Sequence, residues 1–286
     1  MSFEEFKKVI DQFPMLCWIG LTGIGESFMN KDFLKMLDYI KTRKKSFVEL
    51  YDTFYFIDKD VADKLIELKI DRIFVSLDAA QKNTYEKIRC GSNFERVIDN
   101  VHYLFKTKKK KNSKFPKVDF HFIVNKLNFK EIIDFIELVD SLRENFPVEI
   151  QFTRMLHKFP EIGDLFMEVP EEIIKLAEEI ADRKQIRLIW NQNVPSIKPP
   201  IKQCTAWSMP FIFVNGDVIC CCASNEANKR DFQKNYRFGN IFEKTFKEIW
   251  FSENYKKFRR DITKGKIPIQ CVDCPIYRIE AKNDTY

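Results

Sequence analysis

The chain has 286 residues, of which 45% are hydrophobic, so it is long enough for one large domain or for one large and one small domain. Its formal net charge is +6, and no apolar run of about 18 residues is free of charges, which argues against a transmembrane helix and a membrane partner. The N-terminal stretch MSFEEFKKVI lacks the apolar segment of a signal peptide. We therefore expect a cytoplasmic protein in which clustered, reduced cysteines bind metal rather than form disulfides.

The first 190 residues alternate apolar β-rich runs with amphipathic helical segments. Strands are predicted at residues 16–22, 47–51, 73–78, 118–124, 148–153 and 186–190. Helices are predicted at residues 2–13, 32–44, 58–68, 81–88, 93–107 and 128–145, with a further helix opened by Pro170. Ser2, Asp58 and Asn128 are the expected N-caps. Repeated strand–helix units predict a parallel α/β sheet or barrel, whose functional edge lies at the carboxyl ends of the strands.

A lysine-rich run, KTKKKKNSK at Lys106 to Lys114, carries much of the positive charge. It contains none of the arginines and interleaved aromatic residues that are typical of nucleic-acid surfaces. We therefore expect a solvated loop here and no nucleic-acid partner.

The pattern changes after residue 190. Residues 194–203 contain three prolines and are interpreted as a linker between a domain at residues 1–193 and a small module at residues 204–286. In that module the Asn215-Gly216 pair predicts a β-hairpin, and a helix is expected from about residue 242 to residue 262. The module has too little apolar sequence for a core of its own, so a bound metal centre would supply stability.

Six of the eight cysteines lie in two stretches of this module, at residues 204–222 and 271–274. The C-x2-C spacing of Cys271 and Cys274 lets one turn present two thiolates to a metal centre. Cys220 and Cys222 alternate with Cys221 along the second hairpin strand, and alternation alone leaves open which of them faces the site. On these residues alone, an iron–sulfur cluster and zinc are both compatible with the pattern.

Polar and flexible residues end two of the predicted strands. The first strand runs into GIGES, in which Gly23 and Gly25 let a ligand approach the backbone and Glu26 is available as a hydrogen-bond acceptor. The third strand ends in SLD, whose polar residues are Ser76 and Asp78. Arg89 follows on the next helix and could reach the same edge of the sheet. Polar groups at two strand ends predict a ligand site.

Together these stretches resemble the radical S-adenosylmethionine (SAM) enzyme family. LTGIGESFMN is similar to the family's glycine–glutamate turn, whose backbone binds the methionyl amino group of SAM. IDRIFVSLDAAQKNTYEKIRCG resembles the strand at which a serine and an arginine, here Ser76 and Arg89, approach SAM. CTAWSMPFIFVNGDVICC, FGNIFEKTFKEIW and CVDC resemble the family's C-terminal SPASM or twitch extension, which holds an auxiliary [4Fe–4S] cluster.

The resemblance implies an incomplete radical SAM (βα) barrel, similar to a TIM barrel, followed by an iron–sulfur module. The family pattern places the second cluster ligand five residues after the hairpin glycine, which implies the ligands Cys204, Cys221, Cys271 and Cys274. Cys220 and Cys222 would then face away.

The resemblance also implies an activity. In the family a catalytic cluster reduces SAM, and the resulting 5′-deoxyadenosyl radical abstracts a substrate hydrogen. The auxiliary cluster accepts an electron or binds substrate. The implied partners are a peptide or protein substrate and a reductant such as flavodoxin or ferredoxin.

Two features depart from the family pattern. The sequence starts at the helix before the glycine turn and contains no C-x3-C-x2-C motif for the catalytic cluster. We therefore expect the first barrel strand to be missing and the strand at residues 16–22 to lie at an open edge of the sheet. Asp52 and Thr53 stand where relatives have a Thr-Asn pair. These departures keep open an alternative, a non-catalytic iron–sulfur or zinc module that has lost SAM chemistry. Of the remaining residues, Cys17 is expected in the core, and His157 is the histidine best placed for a substrate contact.

Overall fold

The computed structural model of the protein describes residues 1–23, 25–156, 160–201, 204, 206–222, 234–272, 274 and 276–280. The chain divides into two compact units. The first, called the sheet unit here, spans residues 15–192, and the second, called the cysteine unit, combines residues 1–14 with residues from 193 onwards. None of the described helices has the length and apolar character needed to cross a bilayer.

The sheet unit contains six strands in the order β1-β2-β3-β4-β5-β6, and every neighbouring pair is parallel. The strands are β1 (Trp18–Leu21), β2 (Phe47–Asp52), β3 (Arg72–Ser76), β4 (Lys117–Val124), β5 (Glu149–Arg154) and β6 (Arg187–Asn191). Strand β1 forms one edge of this sheet, as expected. The predicted parallel α/β fold is confirmed, because each of the first five strands is followed by a helical crossover that brings the chain to the next strand of the sheet.

The helices of the sheet unit follow the predicted amphipathic segments. They are α2 (Phe33–Tyr39), α3 (Lys59–Glu67), α4 (Lys82–Ile88), α5 (Phe94–Lys110), α6 (Ile132–Leu142) and α7 (Glu171–Lys184), and α2 continues into a π-helical turn at Ile40–Lys44. One face of the sheet packs on these helices: the ring of Phe120 in β4 lies 6.4 Å from that of Phe105 in α5 and 6.1 Å from that of Phe135 in α6.

The opposite face of the sheet, called the polar face here, carries charged side chains at its amino-terminal end. The Arg72 guanidinium donates to Asp119 Oδ2 at 2.7 Å and to Glu149 Oε1 at 3.0 Å. Asp119 is fully buried, and its Oδ1 accepts a hydrogen bond from the Glu149 N–H at 2.8 Å. This network closes the base of the sheet, so the carboxyl ends of the strands remain as the place for a site.

The structure corrects three local expectations in the sheet unit. The lysine-rich run is not a solvated loop throughout, because α5 extends to Lys110 and Lys108 is buried, with its ammonium 4.3 Å from the ring centroid of Phe146. Asn128 does not cap a helix, because its buried amide donates to the Asp78 and Ile123 carbonyls. Cys17 is exposed rather than in the core, since it precedes β1.

The cysteine unit begins with α1 (Phe3–Asp11), which is closed by the predicted Ser2–Glu5 capping box. This helix groups with the C-terminal segment rather than with the sheet, to which the sequence analysis assigned it. Contacts of the turn that follows α1 explain the grouping: the Phe13 ring lies 4.6 Å from the Phe246 ring, and Gln12 Oε1 accepts from the Phe246 N–H at 2.6 Å.

The rest of the cysteine unit is built from short elements. Its strands are β7 (Ser196–Ile197), β8 (Phe211–Ile212), β9 (Asp217–Ile219), β10 (Gly239–Asn240) and β11 (Arg278–Ile279), and its helices are α8 (Phe246–Trp250) and α9 (Glu253–Thr263). The predicted hairpin joins β8 and β9 through Gly216, whose φ of +87° suits glycine. β10 pairs with β9, and β7 in the predicted linker pairs with β11. The single helix expected at residues 242–262 is two helices, because Thr245 and Ser252 each cap a new one.

Candidate functional site

The glycine turn lies directly after β1 and leaves its backbone open. A Cβ added at Gly23 or at Gly25 would meet no heavy atom within 4 Å, so packing within the chain does not demand glycine at either position. Glu26 is fixed by a neighbouring strand, since its Oε2 accepts from Thr53 Oγ1 at 2.8 Å. The turn after β1 is thereby tied to the end of β2.

Asp52, the last residue of β2, carries a buried carboxylate that is only half satisfied. Its exposed fraction is 4%, its Oδ1 accepts from the Phe54 N–H at 2.7 Å, and its Oδ2 is buried without a hydrogen-bond partner. Burial raises the pKa of Asp52 to about 7, and the Glu26 carboxylate adds to the effect while the Phe54 N–H and Arg89 oppose it. An orphaned carboxylate oxygen at this edge marks a place for a donor or a cation.

Asp78 and Arg89 form a fixed pair after β3. The guanidinium donates to Asp78 Oδ2 through Nε at 2.8 Å and through Nη2 at 2.6 Å, and Asp78 Oδ1 accepts from the Ile123 N–H at 2.7 Å. Both carboxylate oxygens of Asp78 are therefore in use within the protein. Asp78 positions Arg89, and a direct contact of Asp78 with a cofactor stays a prediction.

The polar face presents three further side chains near the carboxyl ends of the strands. His121 Nε2 lies 3.0 Å from Thr153 Oγ1, and the His121 ring lies 5.7 Å from the Tyr51 ring. Burial lowers the pKa of His121, and Arg89 adds to this effect while Asp78 opposes it, so the imidazole is neutral at pH 7. His121 was not singled out from the sequence. Its alternation with Asp119 along β4 is the signal that would have placed it on this face.

The predicted site residues of the sheet unit thus converge on one edge. Ser76 ends β3 and is in register with His121, while Glu26 and the Asp78–Arg89 pair are within electrostatic reach of one another. Three carboxylates face one guanidinium here, which suits a ligand with net positive charge. SAM is such a ligand, because its positive sulfonium and ammonium groups outnumber its single carboxylate. His157 lies outside the described residues.

Three of the four predicted cluster cysteines, Cys204, Cys221 and Cys271, pack against one apolar core of the cysteine unit, and Cys274 is within electrostatic reach of Cys271. Burial raises the pKa of the Cys271 thiol to about 12, and the neighbouring thiolates of Cys221, Cys274 and Cys204 add to the effect. Cys220 is buried in the apolar core of the unit, with its Sγ 3.8 Å from that of Cys221.

The donors at this site are thiols, which both of the metal centres that the sequence left open accept. Among the described residues, no three His, Cys, Asp or Glu side chains are placed to hold one metal ion. A zinc ion needs its sulfurs around a single point, whereas each thiolate of a [4Fe–4S] cluster binds a different iron and stands further from the others. The described donors therefore offer no site for a single zinc ion, and a cluster on these four cysteines stays a prediction.

Sequence models of known families match two parts of the chain. The sequence model of the Radical SAM superfamily matches residues 1–139, and that of SPASM, an iron–sulfur cluster-binding domain, matches residues 204–275. The chain belongs to the radical SAM superfamily. It carries a C-terminal SPASM domain, and the two domains imply [4Fe–4S] clusters and SAM as cofactors.

Curated relatives of this radical SAM/SPASM chain differ in their names. A probable GTP 3′,8-cyclase of Saccharolobus islandicus is 33% identical over 175 residues, which cover 59% of this chain and 52% of the relative. The chain therefore spans about half the length of these relatives. A tungsten-containing aldehyde ferredoxin oxidoreductase cofactor-modifying protein of Pyrococcus furiosus is 23% identical over 291 residues, which cover 96% of this chain and 79% of the relative.

Solved structures share the fold. Streptococcus suis SuiB bound to S-adenosylmethionine superposes with a TM-score of 0.67 at 12% identity, over 97% of this chain and 69% of that chain. SuiB bound to the precursor peptide SuiA gives a TM-score of 0.62 at 13% identity, over 96% of this chain and 67% of that chain.

Proposed function

We propose that this protein binds SAM at the carboxyl edge of the sheet unit and an auxiliary [4Fe–4S] cluster on Cys204, Cys221, Cys271 and Cys274, and takes part in radical modification of a peptide or protein. When bound beside a reducing cluster, SAM supplies the radical that abstracts hydrogen from a substrate. The observation that carries the SAM proposal is the orphaned Oδ2 of Asp52 beside the Glu26–Thr53 and Asp78–Arg89 pairs.

Each group at this edge has a proposed task. The open backbone at Gly23 and Gly25 lets the methionyl group of SAM approach. Glu26 and Asp52 supply negative charge for its ammonium and sulfonium, and Arg89, held by Asp78, offers its remaining N–H groups to the SAM carboxylate. The neutral imidazole of His121 with Thr153 presents a polar surface to the substrate on the polar face.

Two features bear on the substrate class: the negative charge at the sheet edge and the ligands of similar proteins. SuiB, which shares the fold, is known with a precursor peptide, and this supports a peptide or protein substrate for the present chain. The similarity to probable GTP 3′,8-cyclases supports a nucleotide as the second candidate. A triphosphate would meet the carboxylates of Glu26, Asp52 and Asp78 at the described edge, and this repulsion favours the peptide. A one-electron reductant such as flavodoxin or ferredoxin and a cytoplasmic location, where thiols stay reduced, belong to the same proposal.

A second proposal, a non-catalytic iron–sulfur or zinc module, is supported by Asp52 and Thr53, which stand where relatives have a Thr-Asn pair. Both proposals are tested by anaerobic reconstitution and metal analysis. We expect about four irons per chain and a broad absorption band at about 400 nm, lost in Cys221→Ala and retained in the matched control Cys222→Ala. Stoichiometric zinc without that band would contradict the cluster. Calorimetry with SAM then separates the two proposals, since only the first expects binding that is weakened in Arg89→Ala.

A further inference from the structure

Helix α9 turns two polar groups into the interior of the cysteine unit. Tyr255 is fully buried and its hydroxyl has no hydrogen-bond partner. Arg259 lies one turn further along the same helix face, and its Nη1 is likewise buried without a partner. In the described part of the chain four buried side-chain N or O atoms lack a partner, and two of the four are this pair.

These two orphaned groups are costly in the protein as it stands. Leaving a buried hydroxyl or N–H unsatisfied costs about 1–3 kcal/mol, so native proteins nearly always provide an acceptor. A leucine and a methionine at the same positions would fill comparable space without that cost. The pair therefore points to an acceptor that the polypeptide alone does not supply.

Aromatic packing prevents Tyr255 from turning elsewhere. Its ring is stacked on that of Phe238 at a centroid distance of 3.9 Å and an interplanar angle of 6°, and the Trp250 ring meets it edge-on at 4.9 Å. The Arg259 guanidinium lies 4.1 Å from the Trp250 ring and 4.8 Å from the Tyr255 ring, and its Nη2 donates to the Trp250 carbonyl at 2.6 Å. The direction of the hydroxyl is thus fixed, and an acceptor must come to it.

Cysteines share the core that buries this hydroxyl: Cys220 is one of its buried members, and the Cys220 Sγ lies 3.8 Å from that of Cys221. Cys221 is one of the four proposed cluster ligands. Cys204, Cys221 and Cys271 pack against the same apolar core that contains Tyr255.

We propose that the Tyr255 hydroxyl donates a hydrogen bond to a sulfur of the auxiliary cluster at Cys221, and that Arg259 polarises this donor through its position against the tyrosine ring. The inference rests on the proposed cluster site. One-electron reduction adds negative charge to a cluster, and a hydrogen bond to its sulfur stabilises that charge, so this pair raises the reduction potential of the cluster. Tyr255 is thus a tuning residue that acts through the cluster.

The test is a potentiometric titration of the reconstituted full chain with dithionite, followed by electron paramagnetic resonance. Tyr255→Phe keeps the ring stacking and removes only the hydroxyl, so we expect a full complement of iron and a midpoint potential more negative than that of the wild type. Arg259→Gln is expected to shift the potential in the same direction. The matched control is Tyr236→Phe, a tyrosine exposed at the surface of the same unit, with no expected shift.

The outcomes separate this inference from the proposed function. A wild-type chain that takes up no iron contradicts the cluster site itself. An unchanged potential in a fully loaded Tyr255→Phe variant overturns the hydrogen bond and leaves the cluster site intact. If the Tyr255→Phe variant does not take up the cluster, electron–nuclear double resonance on the reduced wild type is the second test. The inference requires an exchangeable hydroxyl proton that couples to the cluster, and the lack of such a proton overturns it.

Discussion

Asp52 carries a carboxylate whose pKa is about 7 in the folded protein, against 3.8 for an aspartate in water. Between these values the folded state retains a proton that the unfolded chain has released, so the free energy of unfolding falls as the pH rises from about 4 to about 7 and is flat above. We expect Asp52→Asn to remove this slope and to raise the free energy of unfolding at pH 7.5 by about 2–4 kcal/mol.

Urea unfolding between pH 4.5 and pH 8 measures this effect. The control is Asp60→Asn, an exposed aspartate in the first turn of α3, which should keep the wild-type slope. If the free energy of unfolding depends on pH in the same way in the wild type and in Asp52→Asn, the raised pKa of a buried, half-satisfied Asp52 carboxylate is contradicted. The same substitution should weaken SAM binding above pH 7, since the ionised carboxylate is the form that attracts a cation.

Gly25 makes a second prediction at the residue scale. A Cβ there would meet no heavy atom within 4 Å. Gly25→Val should therefore change the unfolding midpoint little, whereas it should weaken SAM binding about tenfold or more, because the side chain occupies space that the ligand needs. Gly163→Ala, another glycine with open space around its Cβ position, is the matched control for calorimetry. Equal SAM affinities of Gly25→Val and the wild type would place the ligand elsewhere.

At the scale of elements, the strands β3, β4 and β5 are joined at their base by one arginine. Arg72 neutralises Asp119, which is fully buried, and Glu149, which is nearly so. Arg72→Met leaves both carboxylates without this partner, and removing one member of a buried ion pair costs about 3–5 kcal/mol. Arg187→Met is the matched control, because Arg187 lies 3.5 Å from the same Glu149 but its side chain is 75% exposed. Denaturant unfolding should show a large loss for the first variant and less than about 1 kcal/mol for the second.

The element boundaries show how far local sequence signals reach. The six strands of the sheet unit and the caps at Ser2 and Asp58 follow from apolar runs and from side chains that act within a few residues. Asn128 has the same kind of side chain as these caps, yet its amide bonds to the carbonyl of Asp78, fifty residues away, because the fold buries it beside that strand. Lys108 belongs to a lysine-rich run for which the sequence predicts a solvated loop. Its burial results from packing against Phe146, which is distant in the sequence.

At the scale of the whole molecule, the proposed sites are one set of cluster cysteines and one edge of the sheet that binds SAM. A cluster with four cysteine ligands has no open iron position for SAM, whereas a cluster held by C-x3-C-x2-C has one. We therefore expect the reconstituted 286-residue chain, reduced with dithionite, to form no 5′-deoxyadenosine above background. Joining a segment that bears C-x3-C-x2-C ahead of Met1 should restore it, and chromatography of the quenched reaction measures it. Formation of 5′-deoxyadenosine by the chain as printed, lost in Cys221→Ala, would show that the SPASM cluster performs the cleavage.

The sequence alone determined the alternation of strands and helices, the hairpin at Gly216 and the grouping of cysteines, because each depends on residues close together in the chain. Its motifs also identified the radical SAM and SPASM resemblance. Which polar groups are left without partners depends on the tertiary structure. The orphaned oxygens of Asp52 and Tyr255 and the pairing of His121 with Thr153 arise from burial and from contacts between strands or helices distant in sequence. Local periodicity carries no information on such contacts, since it specifies which way a side chain points and not what it meets.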